Sequence, residues 1–171
     1  MSIKTEKDKL IAILFEKHPV LVDQWAKSAP IIVNITVPWS PVTGNPAEGP
    51  VALVTTAGVH LKSQTPFDME DPEGDPSFRV IPSTSFTTDL TITHNYYDHG
   101  DADVDVNVVF PIERLDELCA EGTVGRVAPR HFSFMGHIQG GQLTRLIGQT
   151  APTVAAELKK DGVRAVLLTP A

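Results

Sequence analysis

Three stretches of this 171-residue chain carry side chains that could do chemistry. The richest in imidazole and carboxylate is THNYYDHGDADVDVN, with His94, Asp98, His99, Asp101, Asp103 and Asp105. Such a set could ligate a metal, but its spacing matches no ligand motif, and the alternation of Asp with Val over 101–106 equally suits a solvated strand edge. No metal is expected. His94 and Asp98 are the better candidates for ligand contact, because they sit in a loop at the end of an expected strand.

The stretch TTAGVHLK places Thr55, Thr56, Gly58, His60 and Lys62 directly after an apolar strand-like run. Backbone amides, hydroxyls and a cation could there meet an anionic ligand, although the spacing is neither a Walker loop nor a dinucleotide fingerprint and also suits a polar turn. In APRHFSFMGH, His131 and His137 stand among aromatic residues, a setting in which histidine is more often a packing residue than a catalyst. Cys119 is the only cysteine, which rules out a disulfide or a Cys-x-x-Cys pair within the chain. It falls beside Leu115 and Leu118 on the apolar side of a helix pattern, as a buried structural cysteine would. No Ser-His-Asp arrangement is legible.

Composition narrows the function class. A formal net charge of -7 argues against nucleic acid or an anionic membrane as partner. No apolar run approaches the length of a membrane span, and the opening MSIKTEKDKL has charges where a signal peptide needs an apolar core, so a soluble cytoplasmic protein is expected.

The elements that must position these residues follow from periodicity. Thr5 and Asp8 suggest a helix start, and Leu10, Ile11, Leu14 and Phe15 recur at helical spacing until His18-Pro19, giving a helical arm over residues 1–37. The Pro/Gly-rich stretch at 38–50 reads as an irregular linker, and residues 51–171 as the main domain. There VALVTT reads as a buried strand, AGVHLKSQTPFD as a loop, FRVIP as a second strand and DLTITHNYYDHG as a third or an extended segment. Pro111 suits a helix N1 position, with Gly122 closing that helix. A helix over 142–161, broken near Pro152, leads to a buried parallel strand at 163–168 that is expected to lie inside the sheet, with residues 169–171 beside the 55–62 loop. Strands alternating with helices predict an α/β fold with a largely parallel sheet.

Three segments go beyond generic pattern: VALVTTAGVHLK, GDPSFRVIP and YDHGDADVDVNVVFPIERLDELCAEGTVGRVAPRHFSFMG. They resemble the selenocysteine-containing subunits of D-proline reductase and, more loosely, of the glycine, sarcosine and betaine reductases, over about two-thirds of the chain. The resemblance implies a Rossmann-like or flavodoxin-like three-layer domain behind the helical arm. It singles out Thr55, Gly58, His60, Lys62, Arg79, His94, Asp98, Asn107 and His131, with Thr169 at the last strand, as substrate-binding or proton-handling groups, while His99 and His137 fall outside the shared positions. It also implies reductive C–N cleavage of an amino acid at the expense of a dithiol, with a pyruvoyl group carried by a partner subunit. In such proteins a selenocysteine or cysteine follows the last strand within a few residues. The redox residue is therefore expected directly after Ala171, the domain is expected to be incomplete at its C-terminus, and the chain as it stands is expected to be inactive and to self-associate through uncovered sheet. A redox-inactive binding or scaffold module of the same fold is the alternative.

Overall fold

A computed structural model describes residues 2–28, 39–41 and 44–171. The end of the expected arm, 29–37, and positions 38, 42 and 43 of the expected linker lie outside the described residues. The chain divides into two units, residues 1–43 with 95–98, and residues 44–94 with 99–171.

The smaller unit holds helices α1 (Ile3–Lys17) and α2 (Pro19–Ser28). Ser2, rather than Thr5, is the N-cap: its Oγ accepts the Thr5 amide at 3.1 Å, because a cap must precede the first helical residue. His18 ends α1, and Pro19 starts α2 where its missing N–H costs nothing. The rings of Phe15 and Trp25 meet at 6.2 Å across the break.

The larger unit is built on a mostly parallel sheet. Strand β1 (Pro50–Thr55) pairs in parallel with β5 (Arg126–Val127) and β6 (Arg130–Ser133) on one side and with β7 (Ala165–Thr169) on the other. Strand β3 (Arg79–Pro82) adds antiparallel to β6. A separate antiparallel pair joins β2 (Val59–Leu61) to β4 (Leu90–Ile92). The remaining helices are α3 (Gly100–Val104), α4 (Ile112–Ala120), α5 (Gly140–Arg145) and α6 (Ala151–Lys160).

Alternation along β1 divides the core. Ala52 and Val54 face a cluster with Phe132, Val154 and Leu158, so α6 covers that face. Leu53 and Thr55 face the other way, where the Thr55 hydroxyl reaches the Val109 carbonyl at 3.0 Å and the Phe110 ring meets His131 at 5.8 Å. Ile112 and Leu115 bury the inner side of α4 there. Helices on both faces of a largely parallel sheet make the three-layer α/β architecture that the sequence predicts. Each large apolar side chain withdrawn from water in this way contributes about 1.5–3 kcal/mol.

Several local expectations are corrected. The stretch expected as a loop after β1 contains β2, and residues 101–104 are helical rather than a strand edge, with His99 bonded to Asp103 one turn on. Cys119 is only half-buried and Leu118 is exposed, because the inner stripe of α4 runs Ile112–Leu115 with a spacing that leaves Leu118 outside. The last helical region is continuous except for a π-turn at 146–150, placed just before Pro152, which has no amide to donate. Among the described residues, strand β7 is not internal and pairs with β1 alone, and Val166, Leu167 and Leu168 are 38%, 46% and 69% exposed.

One irregularity shapes the sheet centre. Between paired positions, β1 has two residues, Ala52 and Leu53, whereas the β5–β6 side has four, residues 128–131. The bulge takes in Pro129, which has no amide to lose from the ladder. His131 fills the gap: its Nδ1 accepts the Leu53 amide at 3.0 Å, so a side chain replaces a carbonyl as a rung. Among the described residues, no helix is long and apolar enough to cross a membrane.

Candidate functional site

The carboxyl ends of β6, β1 and β7 and the start of β3 meet at one edge of the sheet. The paired positions there are Arg79 with Ser133, Ser133 with Thr55, and Thr55 with Thr169, a row across four strands. Ser133 and Thr55 are fully buried. The Thr55 hydroxyl has the carbonyls of Val109 and Thr169 at 3.0 and 3.1 Å and accepts the Ala57 amide at 3.1 Å. The Thr169 hydroxyl is buried and has no partner. A buried hydroxyl in that condition is an unused donor at the strand end where ligands of open α/β sheets collect.

Above this row the loops close tightly. The Thr56 amide donates to the Thr169 carbonyl at 3.1 Å, and the Thr56 hydroxyl accepts the Ala171 amide at 3.2 Å. Residues 169–171 therefore lie against the loop that follows β1, as the sequence predicts. Gly136 sits beneath them: a Cβ there would stand 2.9 Å from the Ala171 carbonyl oxygen and 3.3 Å from both His94 Nε2 and the Thr56 carbonyl oxygen. Gly58 is confined in the same way. Its φ is +73°, and a Cβ would come within 2.4 Å of the Thr93 carbonyl oxygen.

The three expected histidines are placed differently. His94 is buried, and its Nε2 accepts the Gly136 amide at 3.1 Å, so it holds the loop under Ala171. Burial, followed by the neighbouring charges of His137 and His99, pushes its pKa down to about 4. His131 lies inside the sheet, its Nδ1 engaged by Leu53 and its Nε2 buried without a partner, and burial lowers it to about 4. His60 bonds the Leu61 carbonyl through Nδ1 and the Thr93 hydroxyl through Nε2, both at 2.8 Å. A carbonyl can only accept, so Nδ1 carries its proton.

Other expected residues turn to different tasks. Arg79 directs its guanidinium at the carbonyls of Thr65, Pro66 and Phe78, the Ser77 hydroxyl and the Asp75 carboxylate, and stacks over Phe67 at 4.2 Å. Its guanidinium thus makes four hydrogen bonds and one ion pair, at 3.6 Å, within its own loop. Burial pushes the Asp75 carboxyl up, but the Ser77 hydroxyl, two backbone amides and Arg79 outweigh it and hold it below the usual range. Asn107 accepts the Glu113 amide through Oδ1 and donates to Asp105 and Glu113, capping α4. Lys62 donates to the Thr88 carbonyl at 2.8 Å and lines a separate cleft. Asp98 belongs to the smaller unit. Thr56 stands in the TTAGVHLK stretch that the sequence marks for ligand contact, although the resemblance does not carry it over. Ser133 was not singled out, and no spacing signal points to it.

The model for the family Glycine/sarcosine/betaine reductase selenoprotein B (GRDB) matches residues 22–171. The chain belongs to this family. The selenoprotein B match thus begins inside α2, at Val22, and includes the whole larger unit, while α1 lies before it. Among relatives, D-proline reductase subunit gamma of Acetoanaerobium sticklandii is 43% identical over 141 residues, covering 81% of this chain and 56% of that protein. Glycine reductase complex component B subunit gamma of Carboxydothermus hydrogenoformans is 29% identical over 136 residues, covering 78% of this chain and 30% of that protein. This selenoprotein B chain therefore spans about half the length of one relative and under a third of the other. No solved structure matches it.

Proposed function

We propose that this chain forms the nucleophile-presenting portion of a subunit of an amino-acid reductase, with a selenocysteine or cysteine directly after Ala171. The observation that supports this reading is the seating of Ala171. Its amide is held by the Thr56 hydroxyl at the carboxyl edge of β1 and β7, over Gly136 and His94, so the next residue would emerge at that edge.

In this reading a selenolate or thiolate attacks the α-carbon of an amino acid. The C–N bond breaks, its electron pair leaves on the nitrogen, and the amine takes up a proton. A donor thiolate then attacks the selenium or sulfur, the released carbon takes that bond's electron pair and a proton, and a second donor thiol completes the disulfide. A pyruvoyl group on a partner subunit would activate the amine, and no residue of this chain is assigned to hold it. The chain's own groups position the nucleophile: Thr56 and Gly136 fix the backbone before it, and His94 fixes Gly136.

Alkylation at neutral pH tests the reading. A form extended past Ala171 by its downstream sequence, with cysteine as the first added residue, should be labelled rapidly at that thiol, while Cys119, half-buried on α4, is labelled slowly in both forms. Rapid labelling of Cys119, or an added thiol no faster than one in an unstructured peptide, would overturn it. Sequencing the nucleotides after the Ala171 codon gives a second test, since an ordinary stop followed by unrelated sequence removes the expected nucleophile.

A further inference from the structure

Residues 68–75, DMEDPEGD, hold five carboxylates and no cation, a composition that ordinarily stays in water. Here the end of that stretch is tied to the segment that follows β6. The Asp75 amide donates to Met135 Sδ at 3.1 Å, and His137 Nε2 donates to the Pro72 carbonyl at 3.2 Å. The Gln139 and Gly141 amides donate to Glu73, the first to its carbonyl and the second to Oε2, both at 2.8 Å. Gln142 Nε2 donates to Asp71 Oδ2 at 2.9 Å. Gly136, the residue beneath Ala171, lies inside this span. Gly74 is buried with φ +85°, and a Cβ there would overlap the His137 carbonyl, so the two segments touch backbone to backbone.

The helical run from 140 to 160 begins without a cap of its own. Gln139 is its N-cap residue but makes no side-chain cap bond, and Gly140 and Gly141 are poor helix formers. Glu73, 68 residues before Gly141 in the chain, supplies the missing acceptor, with its negative charge at the helix end that favours one. A Cβ on Gly140 would overlap the Glu73 carboxylate, and one on Gly141 would stand 3.3 Å from Oε2. The glycine pair therefore leaves the space that the carboxylate fills.

We propose that Glu73 is a positioning residue for the strand end at Ala171: by capping the run that starts at Gly140, it fixes the turn at Gly136 on which residues 169–171 are seated. Its reach is short. From Gly141 the chain returns in five residues to Gly136, whose amide meets His94 and whose Cα faces the Ala171 carbonyl. The role in catalysis rests on the reading that the nucleophile follows Ala171, whereas the clasp itself rests only on bonds within the present chain.

Two measurements separate these. In the 171-residue chain, Glu73→Ala should speed deuterium uptake at the Gly136 amide by at least about tenfold and leave uptake at Leu53 unchanged. Glu73→Gln keeps an acceptor oxygen and should hold Gly136 uptake within about twofold of the parent. Glu73 is exposed, so neither change opens the core. In the form extended by cysteine and its downstream sequence, Glu73→Ala should slow alkylation of the added thiol by at least about fivefold, with Glu73→Gln restoring most of that loss. A parent thiol no faster than one in an unstructured peptide would sink the reductase reading while the uptake result still decides the clasp. Unchanged Gly136 uptake in Glu73→Ala, equal loss in Glu73→Gln, or a fast parent thiol that Glu73→Ala leaves equally fast would each overturn the proposal.

Discussion

Strand β1 has a parallel neighbour on each side, and the two sides are built on opposite terms. Toward β6 the register slips by two residues and the ladder is repaired by an imidazole, yet Leu53, His131, Phe132 and Ser133 are all fully buried and β3 closes the outer edge. Toward β7 the register is regular for five consecutive residues, yet Val166, Leu167 and Leu168 stay in contact with solvent and nothing described lies beyond them. Regular hydrogen bonding and burial are therefore separate properties here. The irregular flank carries the packing energy, and the regular flank carries the backbone to Ala171.

The sharpest way to break that comparison is to remove the imidazole. His131→Leu leaves the Leu53 amide without an acceptor in a fully buried place and should cost about 2–4 kcal/mol. Thr169→Val on the other flank removes a hydroxyl that has no partner and should cost less than about 1 kcal/mol. Urea denaturation compares the two, and equal costs would show that both flanks contribute alike.

Acid should separate the flanks next. His94 and His131 have folded pKa values near 4, below the ordinary 6.5, so the unfolded chain binds more protons between those limits. Their contribution is fully present above pH 6.5, is lost as pH falls toward 4, and amounts to on the order of 3 kcal/mol for each. The urea midpoint should fall across that window, and His131→Leu should flatten the slope by about half. An unchanged slope in the variant would show that His131 is not the titrating group.

The smallest effect on stability is expected at the open edge. Leu168→Lys alters a side chain that is 69% exposed and should move stability by less than about 0.5 kcal/mol. It places a charge on an edge strand whose residues, Ala165–Thr169, include neither charge nor proline, and so should suppress self-association. Sedimentation velocity at micromolar concentration should show assemblies for the parent chain and a monomer for the variant. A monomeric parent would mean that the exposed edge does not attract a second copy.

The same contrast explains what was legible in the sequence. Strands β1 and β7 read clearly because each is an unbroken apolar run. Strands β5 and β6 did not, since Ala128-Pro129 interrupts them and two of the inward side chains, His131 and Ser133, are polar. Three-residue β2 and five-residue α3 are too short to establish a period, and the Asp-Val alternation around α3 reflects local bonds from Asp103 and Asp105 instead. In the candidate site, Thr55 and Gly58 were accessible because a hydroxyl and a glycine after a buried strand signal a turn at the sheet edge. Arg79 and Asn107 were read as ligand contacts, but long side chains can turn back onto their own loops, and residue spacing does not encode that choice. The meeting of Thr56, Gly136 and Ala171 joins parts of the chain that only the folded sheet brings together.

The imidazole rung has an analytical consequence. In an ordinary sheet every ladder amide faces a carbonyl, whose basicity does not change in mildly acidic buffer. The Leu53 amide faces a ring nitrogen whose lone pair vanishes on protonation. That single amide is an internal indicator for the sheet: its nitrogen-15 frequency and its deuterium uptake register the state of the centre of the fold, from a position that no dye or surface label can reach.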